Sequence, residues 1–113
     1  MSPITTHILD TAKGRPATAV RVTLEAADNA AGWSSIGSGQ TDEDGRCKTL
    51  MNTGDLSAGI YRITFDTGGY YADLGEDTFY PEVRIAFEVK DASQHYHVPL
   101  LLNPFGYSTY RGS

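Results

Sequence analysis

Several features that mark other protein classes are scarce or missing in this sequence. Only one of its 113 residues, Cys47, is a cysteine, so no intramolecular disulfide and no cysteine-based metal site can form. No apolar run approaches the roughly 20 residues that a membrane-spanning helix needs. Basic residues do not cluster, and 9 Lys and Arg against 14 Asp and Glu give a net charge of −5. This composition argues against a disulfide scaffold, a membrane partner and a nucleic-acid partner.

Length and cysteine usage bound the domain count and the compartment. A chain of 113 residues corresponds to one domain, residues 1–113, and can bury a core without metal or disulfide support. A lone thiol fits a reducing compartment, and residues 1–12 do not read as a secretory leader. We therefore expect a single-domain cytoplasmic protein, with a peroxisomal or periplasmic location left open.

Alternation of apolar and polar residues dominates the chain. In residues 83–89, apolar side chains at every second position alternate with Arg84, Ala86 and Glu88. This period of two is typical of antiparallel strands that have one face on a core and one in solvent. Turn signals such as Asp44-Gly45 separate the runs. The pattern predicts an all-β antiparallel sandwich of eight strands, at residues 5–10, 18–27, 33–39, 46–50, 60–66, 83–89, 96–102 and 106–111.

Residues 69–75 break this alternation and predict one short helix that ends near Gly75. Asp10 precedes a turn, and we expect its carboxylate to accept hydrogen bonds from the backbone of that turn. The nearby aromatic residues are expected to pack in the core or in an interface. They are Tyr70, Tyr71, Phe79 and Tyr80.

Three histidines are candidates for acid–base chemistry. His95 and His97 are two residues apart in a predicted strand, so they share one face. They are expected to point away from the core, either as surface residues or as a general acid or base. With His7 they could hold zinc, but nothing in the spacing favours a metal. The opposite face of the same strand is apolar, with Tyr96, Val98, Leu100 and Leu102.

Arg46 and the last four residues are the other candidates. Arg46 follows a turn and is either solvated or an anchor for a planar anionic substrate. The ending Tyr110-Arg111-Gly112-Ser113 follows a strand-like segment, and we expect it to be ordered. Without a Gly-x-Ser-x-Gly elbow, Ser113 is expected to position a hydrogen bond and not to act as a nucleophile.

Four motifs, in this order, resemble those of the 5-hydroxyisourate hydrolases, the transthyretin-like enzymes of urate breakdown. Residues 103 and 105, Asn and Phe, depart from the serine and tyrosine that are frequent in that family, but at positions without a catalytic role. The motifs are THILD at 6–10 with GRPA at 14–17, DGR at 44–46, HYHVPLL at 95–101 and YSTYRGS at 107–113.

The resemblance implies a transthyretin (prealbumin)-like sandwich of eight strands with one short helix. It implies a homotetramer with active sites in the channels where dimers meet. The implied reaction is the hydrolytic ring opening of 5-hydroxyisourate to 2-oxo-4-hydroxy-4-carboxy-5-ureidoimidazoline, with no metal and no organic cofactor.

The resemblance also assigns roles to residues. His7 and His97 would orient and deprotonate the attacking water, and Arg46 would stabilise the developing charge. Ser113 would complete the hydrogen-bonding shell, and His95 receives no role. Substrate contacts are expected from His7, Arg46, Tyr110, Arg111 and Gly112.

Two alternatives belong to other functional classes. One is a non-catalytic, transthyretin-like carrier of a small aromatic ligand, and the other is a purely structural sandwich module. Carriers of that kind lack the histidines, the arginine and the Tyr-Arg-Gly-Ser ending that are present in this chain.

Overall fold

Nine strands and one helix build the part of the chain that the computed structural model describes, residues 2–28 and 32–113. The strands form two sheets, and the helix connects two strands of the second sheet. In chain order the elements are β1 (Ile4–Asp10), β2 (Arg15–Pro16), β3 (Arg21–Ala27), β4 (Trp33–Gln40), β5 (Arg46–Cys47), β6 (Gly59–Phe65), α1 (Thr67–Asp73), β7 (Val83–Val89), β8 (Tyr96–Asn103) and β9 (Gly106–Thr109).

One sheet has the order β2-β1-β8-β9, with β5 also paired to β1. The other sheet has the order β4-β3-β6-β7 and is antiparallel throughout. In the first sheet, β1 and β8 run parallel, with Thr5 opposite His97 and His7 opposite Pro99. The predicted sandwich is confirmed, and this parallel pair is its one departure from antiparallel pairing among the described strands.

The core lies between the sheets and follows the alternation of the sequence. In β6, Tyr61, Ile63 and Phe65 are buried, as their period of two predicts. In β8, the alternate apolar residues are buried in the same way. Each such side chain contributes about 1.5–3 kcal/mol when it is fully removed from water. The polar positions between them therefore form the outer face of each sheet.

Two predicted strands are shorter than expected. Strand β3 begins at residue 21 and not at 18, because Ala19 has a φ of 59° and the Thr41 side chain takes part in the hydrogen bonding of residues 17–20. The Thr41 hydroxyl accepts from the Val20 amide at 2.9 Å and donates to the Ala17 carbonyl at 2.8 Å. The strand predicted over 46–50 ends at Cys47. The short strand β2 was not predicted.

The last strand also ends earlier than predicted, at Thr109 and not at residue 111. Pro99, on the neighbouring strand, has no amide hydrogen to continue the ladder. Its carbonyl accepts instead from the Thr109 hydroxyl at 2.7 Å. Pairing resumes at Gly112, which lies opposite His97 and donates its amide to the His97 carbonyl at 2.8 Å.

The helix begins two residues before the predicted segment because Asp66 caps it. The Asp66 carboxylate accepts from the Gly69 amide at 3.0 Å, which satisfies one of the free amides of the first turn. The chain leaves the helix at Gly75, whose φ of +69° is a left-handed conformation. This exit agrees with the prediction. The described helix is too short and too polar to cross a membrane.

The predicted role of Asp10 is confirmed. Its carboxylate is fully buried and accepts from the amides of Ala12 and Lys13, both at 3.1 Å. The Tyr70 hydroxyl donates to the other carboxylate oxygen at 2.7 Å. Tyr70 and Tyr71 are buried as expected, whereas Phe79 is 69% exposed in the single chain.

Candidate active site

The outer face of the first sheet brings three of the predicted residues together. Strand β5 pairs with β1 so that Arg46 lies opposite His7. On the other side of β1, the parallel register with β8 brings His97 close to His7. The two imidazole rings are nearly parallel, with centroids 6.4 Å apart and an interplanar angle of 25°. Both histidines and Arg46 are half-buried.

A tight turn holds Arg46 beside β1. The Asp42 carboxylate accepts from the amides of Asp44 at 2.9 Å and Arg46 at 3.0 Å, and the bond from Arg46 is the main cause that lowers the pKa of Asp42. Gly45 has a φ of +76°, and a Cβ there would lie 2.5 Å from the Ile8 carbonyl oxygen. The Ile8 amide donates to the Gly45 carbonyl at 2.8 Å. Glycine is therefore needed both for the turn and for its close approach to β1.

A cavity of about 170 Å³ opens on this face. None of its described lining residues is an aspartate or glutamate, although the chain as a whole is acidic. Its walls therefore combine cations, imidazoles and hydroxyls, which suits a substrate that is anionic or becomes so during reaction. The lining residues are Thr5, Thr6, Arg46, Lys48, His95, His97 and Ser113.

His97 is held as a neutral imidazole. Burial is the main cause that lowers its pKa below the ordinary value of 6.5, followed by the charges of Arg46, His7 and His95. A hydrogen bond with the Thr5 backbone opposes this shift. The Thr5 hydroxyl lies 2.8 Å from Nδ1 of His97. A neutral imidazole of this kind can accept a proton near neutral pH.

Gly112 lets the last residues pass over the His97 ring. A Cβ at this position would lie 2.6 Å from Cδ2 of His97 and 3.2 Å from Cγ of Pro99. Any larger residue would therefore have to displace the tail or the imidazole. Because the Gly112 amide donates a hydrogen bond to the His97 carbonyl, the next residue, Ser113, lies at the cavity wall.

Tyr110 and Arg111 do not line this cavity within the single chain. The Arg111 guanidinium donates to the Gln94 side chain at 2.9 Å and to the His95 carbonyl at 3.3 Å. It also lies 4.5 Å from the centroid of the Tyr96 ring. Tyr110 and Arg111 instead border a second cavity of about 230 Å³, which His97 also lines. Their roles as substrate contacts stay predictions.

Three residues of the cavity wall were not predicted. Thr5, Thr6 and Lys48 line the cavity together with His95. Thr5 precedes His7 by two residues, and Lys48 follows Arg46 by two, so position on the same strand face was the available signal. Within residues 2–28 and 32–113, no group of three or more His, Cys, Asp or Glu side chains is arranged to hold a metal ion.

Comparison with known proteins identifies the family. Residues 4–112 match the sequence model of the HIUase/Transthyretin family. The chain belongs to this family. A family relative from Salmonella typhimurium, named 5-hydroxyisourate hydrolase, is 47% identical over an alignment that covers 97% of this chain and 80% of the relative.

Similar solved structures include both a 5-hydroxyisourate hydrolase and a transthyretin. Klebsiella pneumoniae 5-hydroxyisourate hydrolase is 34% identical, with a TM-score of 0.84 over 97% of this chain and 98% of its own. Sea bream transthyretin in complex with thyroxine is 33% identical, with a TM-score of 0.92 over 97% and 94%. Backbone likeness therefore does not separate a hydrolase from a thyroxine binder, and the side chains of the site must do so.

Proposed function

We propose that this protein is a hydrolase that opens the six-membered ring of 5-hydroxyisourate and yields 2-oxo-4-hydroxy-4-carboxy-5-ureidoimidazoline. The observation that carries the proposal is the grouping of His7, Arg46 and His97 on one sheet face, beside a cavity that Ser113 also lines. The relative from Salmonella typhimurium, at 47% identity, is named for the same reaction.

In the proposed mechanism, His97 takes a proton from the attacking water. Its lowered pKa supports this role, because the ring stays unprotonated at neutral pH. His7, with its ring centroid 6.4 Å from that of His97, helps to orient the same water. The water oxygen bonds to the ring carbonyl carbon, the carbon–nitrogen bond breaks, and the leaving nitrogen receives a proton. The single product carries a new carboxylate and a ureido group.

Arg46 stabilises the negative charge that develops on the carbonyl oxygen. Its guanidinium is half-buried at the cavity, with Lys48 on the same wall. No described side chain that lines the cavity carries a negative charge to neutralise them. Positioned donors of this kind typically raise kcat by a factor of about 10²–10³. Ser113 adds a hydrogen-bonding group to the cavity wall.

The complete site is proposed to form in a homotetramer. The cavity of one chain, about 170 Å³, is smaller than the roughly 300–1,000 Å³ of most small-molecule sites. A second chain placed over the same face would enclose it, and an isologous contact uses one patch twice. Tyr110 and Arg111 would reach substrate only if such a contact brings them there.

A direct assay tests the proposed reaction. The purified protein is added to freshly prepared 5-hydroxyisourate, and the ultraviolet absorbance of the substrate is followed. We expect decay far faster than the spontaneous background. A rate equal to that background, with folded protein, would remove the proposal.

The second candidate is a non-catalytic carrier of a small aromatic ligand. It is favoured by the likeness to sea bream transthyretin in complex with thyroxine. In that case, thyroxine would bind this protein and His97→Asn would leave the binding unchanged. Thyroxine binding without any turnover of 5-hydroxyisourate would decide for the carrier.

A further inference from the structure

A short chain of hydrogen bonds behind His97 has no role in the mechanism so far. The Thr5 hydroxyl lies 2.8 Å from Nδ1 of His97 and 3.0 Å from Nε2 of His95. Thr5 is only 6% exposed, whereas His95 is exposed. The chain therefore runs from the half-buried ring at the site, through a buried hydroxyl, to a ring in contact with solvent.

The single proton of the Thr5 hydroxyl restricts the states of the two rings. A hydroxyl can donate to only one of the two nitrogens, so the other nitrogen must carry a proton and donate to the hydroxyl oxygen. If Thr5 donates to His95, then His97 holds its proton on Nδ1 and its Nε2 is free to act as a base. If Thr5 donates to His97, then Nε2 of His97 carries the proton and can act as an acid.

We propose that Thr5 and His95 form a proton relay behind His97 that switches this imidazole between a base and an acid. Both are positioning residues that act through His97. The inference deepens the proposed hydrolase function and rests on it. It also gives a role to His95, to which neither the family resemblance nor the mechanism assigns one.

The proton count of the relay balances in each direction. When Nε2 of His97 takes a proton from water, Nδ1 gives its proton to the Thr5 oxygen. Thr5 gives its own proton to Nε2 of His95, which releases one to solvent. When Nε2 of His97 later protonates the leaving nitrogen, the same two transfers run backwards and His95 takes a proton from solvent. His97 ends each step as a neutral ring.

The charges around the site explain why such a relay is useful. The guanidinium of Arg46, the amine of Lys48 and the ring of His7 all face the same region as His97. A long-lived imidazolium at His97 would be repelled by these groups and poorly solvated. Moving the charge to the exposed His95 removes that cost.

The backbone beside His95 is held in place, which favours a defined relay over a chance contact. Arg111 donates to the His95 carbonyl and to Gln94, and its guanidinium stacks on Tyr96. The two ring centroids of His95 and His97 are 6.4 Å apart. Thr5 is opposite His97 in the parallel ladder, so its hydroxyl is placed by the sheet itself.

The first test measures tautomers and needs no activity. Nitrogen NMR of the labelled, substrate-free protein distinguishes protonated from bare ring nitrogens. We expect the His97 proton on Nδ1 in the wild type and in Thr5→Ser, and a loss of this preference in Thr5→Val. The control is Thr64→Val, whose hydroxyl lies in the other sheet and has no partner within the described residues. A His97 tautomer that Thr5→Val does not alter would overturn the inference.

The second test measures turnover of 5-hydroxyisourate. Thr5→Val and His95→Ala are expected to lower kcat about 10–100-fold, as removal of a partner that orients an imidazole does elsewhere, with KM nearly unchanged. Thr5→Ser should retain most of the activity. Added imidazole should restore kcat in His95→Ala, whose replaced ring was exposed, but not in Thr5→Val.

The outcomes separate the two proposals. An inactive wild type with the expected tautomer would refute the hydrolase function and leave the Thr5 arrangement standing. An active wild type whose kcat and pH profile are unaffected by both Thr5→Val and His95→Ala would refute the relay alone. Circular dichroism detects a loss of folding in Thr5→Val. In that case, the kcat of His95→Ala with and without added imidazole tests the relay.

Discussion

The outer faces of the two sheets have the same alternation of residues but differ in how their charged side chains are paired. On the sheet β4-β3-β6-β7, Arg62 is paired: it contacts Glu25 at 2.7 Å and lies 4.3 Å from the centroid of the Trp33 ring. On the other sheet, Arg46 and Lys48 border a cavity whose described lining has no aspartate or glutamate. The charge of Arg62 is compensated within the chain, whereas Arg46 and Lys48 face no acidic side chain in the described cavity wall.

This difference distinguishes the paired polar residues from those of the proposed site. In the part-buried ion pair of Arg62 with Glu25, each charge has its partner within the chain. Clustered cations and imidazoles with a lowered pKa at His97 are costly for the folded state. Such a cost is usual at sites that stabilise charge during a reaction. Matched substitutions on the two faces therefore test whether only one of them acts in turnover.

The largest effect is expected for His97→Asn. Removing the proposed base should lower kcat by about 10²–10⁴ with little change in Tm, since the ring is not part of the core. The measurement is turnover of 5-hydroxyisourate beside a thermal melt. Near-normal turnover would show that His97 is a surface histidine without a catalytic role.

Deletion of residues 111–113 is expected to abolish most activity while the fold survives. It removes Ser113 from the cavity, the Gly112 bond to the His97 carbonyl and the Arg111 contact with Tyr96. The described core contains none of the three deleted residues. Circular dichroism and turnover are compared with the full chain, and a fully active truncation would contradict the proposed site.

A smaller change at the same place is Gly112→Ala. The added Cβ must push against the His97 ring, and a displacement near 1 Å can cost about 100-fold in rate. The matched control is Gly106→Ala, where the nearest atoms lie at 3.7 Å. Equal kcat values for the two variants would show that the tail does not position His97.

The pH dependence of kcat is expected to carry the signature of His97. Because burial and Arg46 lower the pKa of His97, activity should persist below pH 6.5, the ordinary histidine value, before it falls in acid. Arg46→Gln removes a positive charge, so the pKa rises and the acid limb moves to higher pH. Arg84→Gln, on the other sheet, should leave the limb in place. A limb that does not move in Arg46→Gln would argue against His97 as the titrating group.

The same shift affects stability with a definite sign. Below the ordinary histidine pKa, the unfolded chain binds a proton at His97 that the folded chain resists. The free energy of unfolding should therefore decrease as the pH falls through this range. His97→Asn should reduce that decrease in denaturant titrations.

The smallest effect is expected for Glu25→Gln on the paired face. The hydrogen bond from Arg62 lowers the pKa of Glu25, so any contribution exists above the ordinary glutamate pKa and is lost as the pH falls through the lowered value. We expect kcat to be unchanged and Tm nearly so. A large loss of turnover would mean that the two faces are not functionally distinct.

The sequence predicted much of the fold because its strongest signals are local. Alternation identified the buried residues of β6 and β8, and the carboxylate of Asp10 was assigned correctly to its turn. It missed the early end of β9, because Pro99 acts on that strand across the ladder. It also missed Thr5, since its two imidazole partners are about ninety positions away.

Alternation and turn residues by themselves determined that the chain forms two-faced strands, and the motifs determined its family. Which outer-face residues meet was decided only by the tertiary structure. Strand β1 joins Arg46 on one side and the His97 strand on the other through pairings between distant segments. A period of two is a property of each strand alone, but a strand's neighbours depend on how all the edges of the sheet are satisfied together.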